Sequence, residues 1–159
     1  MSTPSPARAQ RGFTLVELML ATVIAAVLAA VAYPAYSAQV QRSRRADALA
    51  ALTTILQAQE RYRSNAPAYA SSLQNDLKLD MARLTSHYQI TLTGAGANGS
   101  FDTGYIAVAT PTAGGRQASD RSCQRFTLTV VGAIPSYTAT GDPDGTGQSR
   151  DTTALCWPK

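Results

Sequence analysis

The sequence predicts an α+β fold, in which one long N-terminal helix packs by its second half on an antiparallel sheet of three to four strands. Three observations predict it: an apolar run from Phe13 to Tyr36, an amphipathic helical stripe after it, and three alternating runs separated by glycine-rich stretches. With 159 residues, the chain has room for one modest globular domain and one long helix.

The apolar run is long enough to cross a membrane. From Phe13 to Tyr36 it exceeds the roughly 20 residues that a spanning helix needs. A secretory signal has only about 7–15 apolar residues before its cleavage site. Glu17 lies inside the run, near its start. A carboxylate in a membrane helix needs a compensating charge, and an amino group of another subunit would supply it.

A helical stripe follows the apolar run. Between Ala46 and Tyr62, apolar side chains and one glutamine recur at spacings of three and four: Leu49, Leu52, Ile55, Leu56, Gln59 and Tyr62. This stripe predicts a face that packs on a sheet. Four charged residues are expected on the outward face: Arg45, Asp47, Glu60 and Arg61. Asn65, Ala66 and Pro67 predict the end of the helix.

Three runs after the helix alternate as strands do. They begin at Tyr88, Tyr105 and Phe126, and glycines at Gly94 to Gly99 and at Gly114 and Gly115 separate them. Consecutive strands without intervening helices predict an antiparallel sheet on one face of the helix.

Charge and cysteine content leave the function open. The formal net charge is +4, from 14 basic and 10 acidic residues. Loss of a leader carrying Arg8 and Arg11 would halve this excess positive charge. The charge that remains is only weak support for nucleic acid or an anionic membrane as a partner. Cys123 and Cys156 would be buried thiols in a cytosolic protein and a disulfide in an exported one.

The N-terminus resembles the type IV prepilins. The resemblance rests on a short basic leader followed by Arg11, Gly12 and then Phe-Thr-Leu-Val-Glu. It implies cleavage after Gly12 by a prepilin peptidase, N-methylation of the new terminus at Phe13, and a role for Glu17 in filament assembly. The family also carries a helix-disrupting proline 22 positions after the cut, where Pro34 lies. We therefore expect a leader at 1–12, an apolar assembly helix at 13–38 and a globular domain at 39–159.

The C-terminal half is similar to the minor pilins of the PilE group. The similarity rests on Ala107 to Pro111, on Ser119 and Asp120 before Cys123, and on the terminal Cys156 and Trp157. It implies a disulfide-bounded C-terminal region, and a bridge between the two cysteines would contribute roughly 3–4 kcal/mol. The expected role is a structural subunit of a surface filament that serves adhesion, twitching motility or DNA uptake. A pseudopilin of type II secretion is an alternative, since it shares the N-terminal motif.

The resemblance also implies the partners and the location. The partners are other pilin subunits, the prepilin peptidase and N-methyltransferase, the inner-membrane assembly platform, and membrane lipid before assembly. The expected location is the bacterial inner membrane as a single-pass precursor, and then the extracellular pilus. No cofactor and no metal is expected.

Three further groups of residues bear on function. His87, the sole histidine, lies between Ser86 and Tyr88 at the start of a predicted strand and is expected to be a surface or packing residue. The sequence offers no nucleophile paired with a base, so neither enzymatic activity nor a catalytic residue is expected. Asp142 to Gly145, with Asp151, resembles part of a calcium loop that lacks its glutamate, so a plain turn is favoured.

DNA binding is the rival role, because some minor pilins are DNA receptors. Its candidate contacts, with Tyr137 or Trp157 beside them, are Arg116, Arg121, Arg125, Arg150 and Lys159.

Overall fold

The computed structural model describes residues 13–157 as a long helix followed by a five-stranded sheet. Its helices are α1 (Leu15–Arg63), α2 (Met81–Leu84) and α3 (Thr153–Cys156). Its strands are β1 (Tyr88–Gly94), β2 (Gly104–Pro111), β3 (Arg125–Val131), β4 (Ile134–Gly141) and β5 (Arg150–Asp151). Two short 3₁₀ turns cover Ala97–Gly99 and Arg116–Ser119. The predicted α+β class is confirmed.

The chain divides into two compact units, Met1–Gln39 and Val40–Lys159, and α1 contributes residues to both. Within the described residues, α1 is the one helix long and apolar enough to cross a membrane, judged by length and composition. The most apolar 18-residue window has a mean hydropathy of 2.5, and none of it is buried within the chain. These side chains therefore require lipid or other protein around them.

The sheet is a meander, in which each strand pairs antiparallel with the next in the order β1-β2-β3-β4-β5. Ala109 pairs with Phe126, and Phe126 in turn pairs with Ala139, so this register aligns the core-facing residues of three strands. β5 pairs with only Thr140 and Gly141 at the end of β4.

The second half of α1 packs on one face of this sheet. Its buried residues are Ala48, Ala51, Leu52, Ile55, Ala58 and Gln59. Of these, Ala48, Leu52 and Ile55 share one buried cluster with the inward-pointing residues of β2 and β3, namely Tyr105, Ala107, Ala109, Phe126, Leu128 and Val130. Small alanines and large aromatic and aliphatic side chains together fill this cluster. The predicted stripe is therefore confirmed at Leu52, Ile55 and Gln59.

Two expectations from the sequence are corrected. The sheet has five strands instead of three to four, because the Pro-containing segment Ile134–Gly141 forms β4 and adds β5 at its end. Arg45 does not point outward; its side chain is only 14% exposed because it binds the buried carboxylate of Asp120. A partner so far along the chain could not be found from helical periodicity.

Candidate assembly segment and nucleic-acid interface

The start of α1 is fully exposed in the isolated chain. Phe13 is 83% exposed, and the large apolar residues from Leu15 to Tyr36 are exposed as well. Glu17 lies in the first helical turn, where its backbone N–H donates to the Thr14 hydroxyl at 3.3 Å. A carboxylate at this end of a helix suits the helix dipole. Gly12, the residue expected before the cleaved bond, lies outside the described residues.

Helix α1 continues through Pro34, where the carbonyl accepts a hydrogen bond from the Ser37 hydroxyl at 2.9 Å. Proline lacks the N–H that would complete the helical ladder. The helix disruption that the resemblance implies at Pro34 stays a prediction.

The β2–β3 loop, residues 112–124, is tied to α1 by a buried polar cluster. Arg45 donates from Nε and a terminal nitrogen to the two carboxylate oxygens of Asp120, at 2.7 and 2.8 Å. The Gln117 amide donates to Asp120 at 2.9 Å and to the Gln41 carbonyl at 3.4 Å. Burial raises the pKa of the neighbouring Tyr88 hydroxyl, so this side of the cluster stays uncharged. The loop is thereby fixed against the helix.

The two cysteines form a disulfide, Cys123–Cys156, with Cα atoms 5.9 Å apart. It joins the β2–β3 loop, close to the start of β3, to helix α3. The α3 segment is held further at Ala139, whose carbonyl accepts from the Thr152 N–H at 2.9 Å and whose N–H donates to the Thr153 hydroxyl at 2.8 Å. The C-terminal segment is thus held at two points, by the disulfide to the β2–β3 loop and by the hydrogen bonds to Ala139 of β4.

Four arginines predicted for DNA contact lie at the same end of the sheet, and we call this region the basic end: Arg116, Arg121, Arg125 and Arg150. Arg125 pairs with Thr140, and Arg150 pairs with Gly141, the next residue of β4. The Arg121 carbonyl accepts from the Asp142 N–H at 2.7 Å. All four side chains are exposed. The fifth candidate, Lys159, lies outside the described residues.

Carboxylates offset part of this positive charge. Arg150 forms an ion pair with Asp144 at 2.7 Å, and both side chains are more than half exposed. Asp142 and Asp151 lie on either side of the same loop. The basic end therefore carries a small net positive charge. Three of its arginines make no ion pair among the described residues: Arg116, Arg121 and Arg125.

The aromatic side chains do not share a face with Arg125. Tyr137 pairs with Leu128, and the ring of Trp157 packs edge-on against Phe126 at 6.0 Å. Leu128 and Phe126 point to the helix-facing side of the sheet, whereas Arg125 precedes Phe126 and points to the other side. The arrangement at Arg125 suits phosphate contacts instead of base stacking.

The aspartate-rich loop after β4 is held by its own hydrogen bonds. The Asp142 carboxylate accepts from the N–H groups of Thr146 and Gly147, at 2.9 and 2.8 Å. The backbone bonds, that of Gly147 foremost, lower the pKa of Asp142. Within residues 13–157, no group of three or more His, Cys, Asp or Glu is placed to hold a metal ion. This geometry favours the plain turn over the calcium loop.

His87 is half-buried just before β1, where its backbone N–H donates to the Thr85 hydroxyl at 3.3 Å and its carbonyl accepts from Thr112. Both contacts are made by its backbone.

The fold and these features define a class of protein: a pilin, with an apolar N-terminal helix, an antiparallel sheet and a C-terminal disulfide. A family model for the prokaryotic N-terminal methylation motif matches residues 7–33. A second family model, described as "Type IV minor pilin ComP, DNA uptake sequence receptor", matches residues 34–129, more than half of the chain. The chain belongs to this family of type IV minor pilins.

The family is one of structural pilins and not of enzymes. The match ends before β4, so the disulfide partner Cys156 and the cation Arg150 lie beyond it. Arg116, Arg121 and Arg125 lie within it. No solved structure shows a significant match to the chain.

Proposed function

We propose that this minor pilin captures DNA for uptake through the basic end of its sheet. The observation that carries the proposal is that three exposed arginines, Arg121, Arg125 and Arg150, lie at one end of the sheet beside three consecutive residues, Thr140 to Asp142. Arg125 and Arg150 pair with adjacent residues of β4 and therefore point to opposite faces of that end. The family to which the chain belongs is described as a DNA uptake sequence receptor. The position of the arginines and the description of the family together favour a DNA-binding role over a purely structural role in the filament shaft.

Phosphate contact is the mode that the side chains support. Guanidinium groups bind phosphate oxygens with two parallel hydrogen bonds, and exposed arginines keep their charge at every physiological pH. The Arg45 pair contributes indirectly, since it fixes the loop that carries Arg116 and Arg121. Because each phosphate contact releases counterions from the DNA, affinity should depend strongly on salt.

Gel retardation of a double-stranded DNA fragment by the detergent-solubilised chain tests the proposal. Replacing Arg121 and Arg125 together by glutamine should weaken retardation and reduce the slope of log K against log salt by about 0.9 for each phosphate that the variant no longer binds. Arg83→Gln is the matched control: it removes an exposed cation on α2, near β1 at the opposite edge of the sheet. Equal retardation by both variants, or none by the parent at low salt, would reject the proposal.

We propose in addition that the precursor is cleaved after Gly12, methylated at Phe13, and assembled through its apolar helix by charge pairing of Glu17 with a neighbouring amino terminus. The methylation-motif match and the exposure of the large apolar side chains of this segment support it. Intact-mass spectrometry of sheared filaments tests the processing. A chain beginning at methylated Phe13 is expected, and a chain that keeps residues 1–12 in the filament would contradict it.

A further inference from the structure

We propose that, before assembly, five arginines around the start of the globular unit dock it on anionic lipid headgroups. These are Arg42 and Arg44 of α1 and Arg116, Arg121 and Arg125 of the sheet end, here called the helix-entry arginines. The proposal concerns the subunit while it is in the membrane, and it does not rest on DNA binding.

Four of the helix-entry arginines are brought together by hydrogen bonds, whereas Arg125 lies at the same end of the sheet on the face that points away from the helix. The Gln41 amide donates to the Ser119 hydroxyl at 3.1 Å, and the Gln41 carbonyl accepts from Gln117. One helical turn later, Arg45 holds Asp120. The segment 116–121 is therefore fixed beside residues 41–45, and Arg42 and Arg44 lie on either side of this contact. Of the five arginines, four are exposed and Arg44 is partly buried.

Chain connectivity keeps this cluster close to the apolar segment. The apolar run ends at Tyr36, and Gln41 follows within the same helix. At 1.5 Å per residue, five residues of helix advance by only about 7–8 Å. A membrane that covers the run up to Tyr36 therefore has its headgroup layer near Gln41.

The charge at this level is positive. Arg45 and Asp120 neutralise one another, and so do Arg150 and Asp144. Five arginines then remain against the nearby carboxylates of Asp47, Asp142 and Asp151. At the other end of α1, Arg61 and Arg63 are matched by Glu60 and by Asp102. The positive excess is thus confined to the end of the globular unit that connects to the apolar run, where anionic headgroups attract arginine.

The chain provides its own reporter for the test. Trp157 is the sole tryptophan, and its ring lies 6.0 Å from that of Phe126, the residue after Arg125. Energy transfer from Trp157 to a dansyl group on a lipid headgroup therefore measures how close the helix-entry arginines come to the bilayer. The full chain would be reconstituted in phosphatidylcholine vesicles with and without phosphatidylglycerol, each containing a trace of dansyl phosphatidylethanolamine.

Transfer should be more efficient in the vesicles that contain phosphatidylglycerol. The difference should vanish at about 1 M salt, where the Debye length is about 3 Å. Replacing all five helix-entry arginines by glutamine should remove the difference, and replacing them by lysine should keep it, because lipid attraction needs charge more than guanidinium shape.

Arg61→Gln is the matched control, since Arg61 lies 20 residues further along α1 than Gln41, or about 30 Å. It should behave as the parent chain does. The arginine-to-glutamine variant should keep the parent's circular dichroism spectrum, because these side chains make no ion pair in the folded chain that the structure describes. Equal transfer in both vesicle types would overturn the proposal. If the same preparation then still retarded DNA, the cluster would serve DNA alone.

Discussion

Arg45 and Asp120 form a two-pronged ion pair in which the carboxylate is 2% exposed and the arginine side chain 14% exposed. They lie 75 positions apart in the chain. One is on the helix, and the other is in the loop that supplies two of the candidate DNA-binding arginines. This contact fixes the position of the β2–β3 loop relative to the helix.

Removing one partner of the pair should be more damaging than removing both. Asp120→Ala leaves a largely buried guanidinium without its counter-charge, and we expect a loss of about 3–5 kcal/mol in the free energy of unfolding. Urea unfolding of the detergent-solubilised chain, followed by Trp157 fluorescence, measures it. Replacing Arg45 by methionine together with Asp120 by leucine should recover part of the loss. Asp102→Ala, at an exposed carboxylate, is the control and should change little.

Gln59 holds the chain after α1 by a pair of hydrogen bonds. Its amide donates to the Ala70 carbonyl at 2.9 Å and accepts from the Ala70 N–H at 2.8 Å, with the side chain fully buried. Gln59→Met would leave both Ala70 groups without a partner, at about 1–3 kcal/mol each. Amide exchange at Ala70 should accelerate in the same variant. Gln57→Met, at an exposed position of the same helix, should leave exchange unchanged.

The disulfide closes a loop of 33 positions. Reduction, or replacement of Cys123 and Cys156 by serine, should cost roughly 3–4 kcal/mol by the chain-entropy argument. The measurement is the urea midpoint with and without reductant. The α3 segment should keep part of its structure in the reduced chain because Thr152 and Thr153 still bind Ala139. A midpoint insensitive to reductant would contradict the expected contribution.

A substitution of Glu17 tests the proposed charge pairing in filament assembly. Glu17→Ala should leave the subunit stable in the membrane and absent from sheared filaments, because the neighbour's amino group loses its counter-charge. Immunoblots of membrane and filament fractions measure this. Asp47→Ala, at an exposed acid of the globular unit, is the control and should assemble normally. Filaments with normal amounts of the Glu17 variant would argue against charge pairing.

The turn at Asp142 should depend on pH. The pKa of Asp142 is lower in the folded chain than in the unfolded one, so its stabilising contribution is complete above the unfolded value of about 3.9 and is lost as the pH falls through the folded value. The protection factors of the Thr146 and Gly147 amides, which correct for the intrinsic pH dependence of exchange, should therefore be high at neutral pH and fall in acid. Asp142→Asn should abolish most of the pH dependence. Added calcium should not change the exchange rates.

Local patterns predicted most of the fold. The apolar run, the stripe through Leu52 and Ile55, and three of the strands follow from periodicity. Strand β4 was missed because it contains Pro135 and borders a segment rich in glycine and aspartate, which is typical of a loop. Proline is tolerated there because little of the outer edge of β4 is paired with β5.

The candidate sites, too, could be predicted from the sequence only where they depend on local motifs. The proposed assembly residues Phe13 and Glu17 follow from a contiguous motif, and the four described arginines of the basic end are candidates that the sequence alone could name. What the sequence could not provide was the neutralisation of Arg150 by Asp144, the side of the sheet on which Arg125 lies, and the burial of Arg45. Each depends on a contact between residues that no periodic pattern links.

The outer edge of β4 also affects how neighbouring subunits can associate. Between Ile134 and Thr138, no strand of the described chain pairs with this edge, and such an edge invites strands of neighbouring copies to join. Pro135 has no N–H to offer an incoming strand, and β5 with its disulfide-held helix covers the end of the edge beyond it. A filament brings the sheets of many pilin subunits into a small volume. Here one proline and a two-residue strand leave an approaching strand fewer backbone N–H groups to pair with, which counters unwanted edge-to-edge pairing.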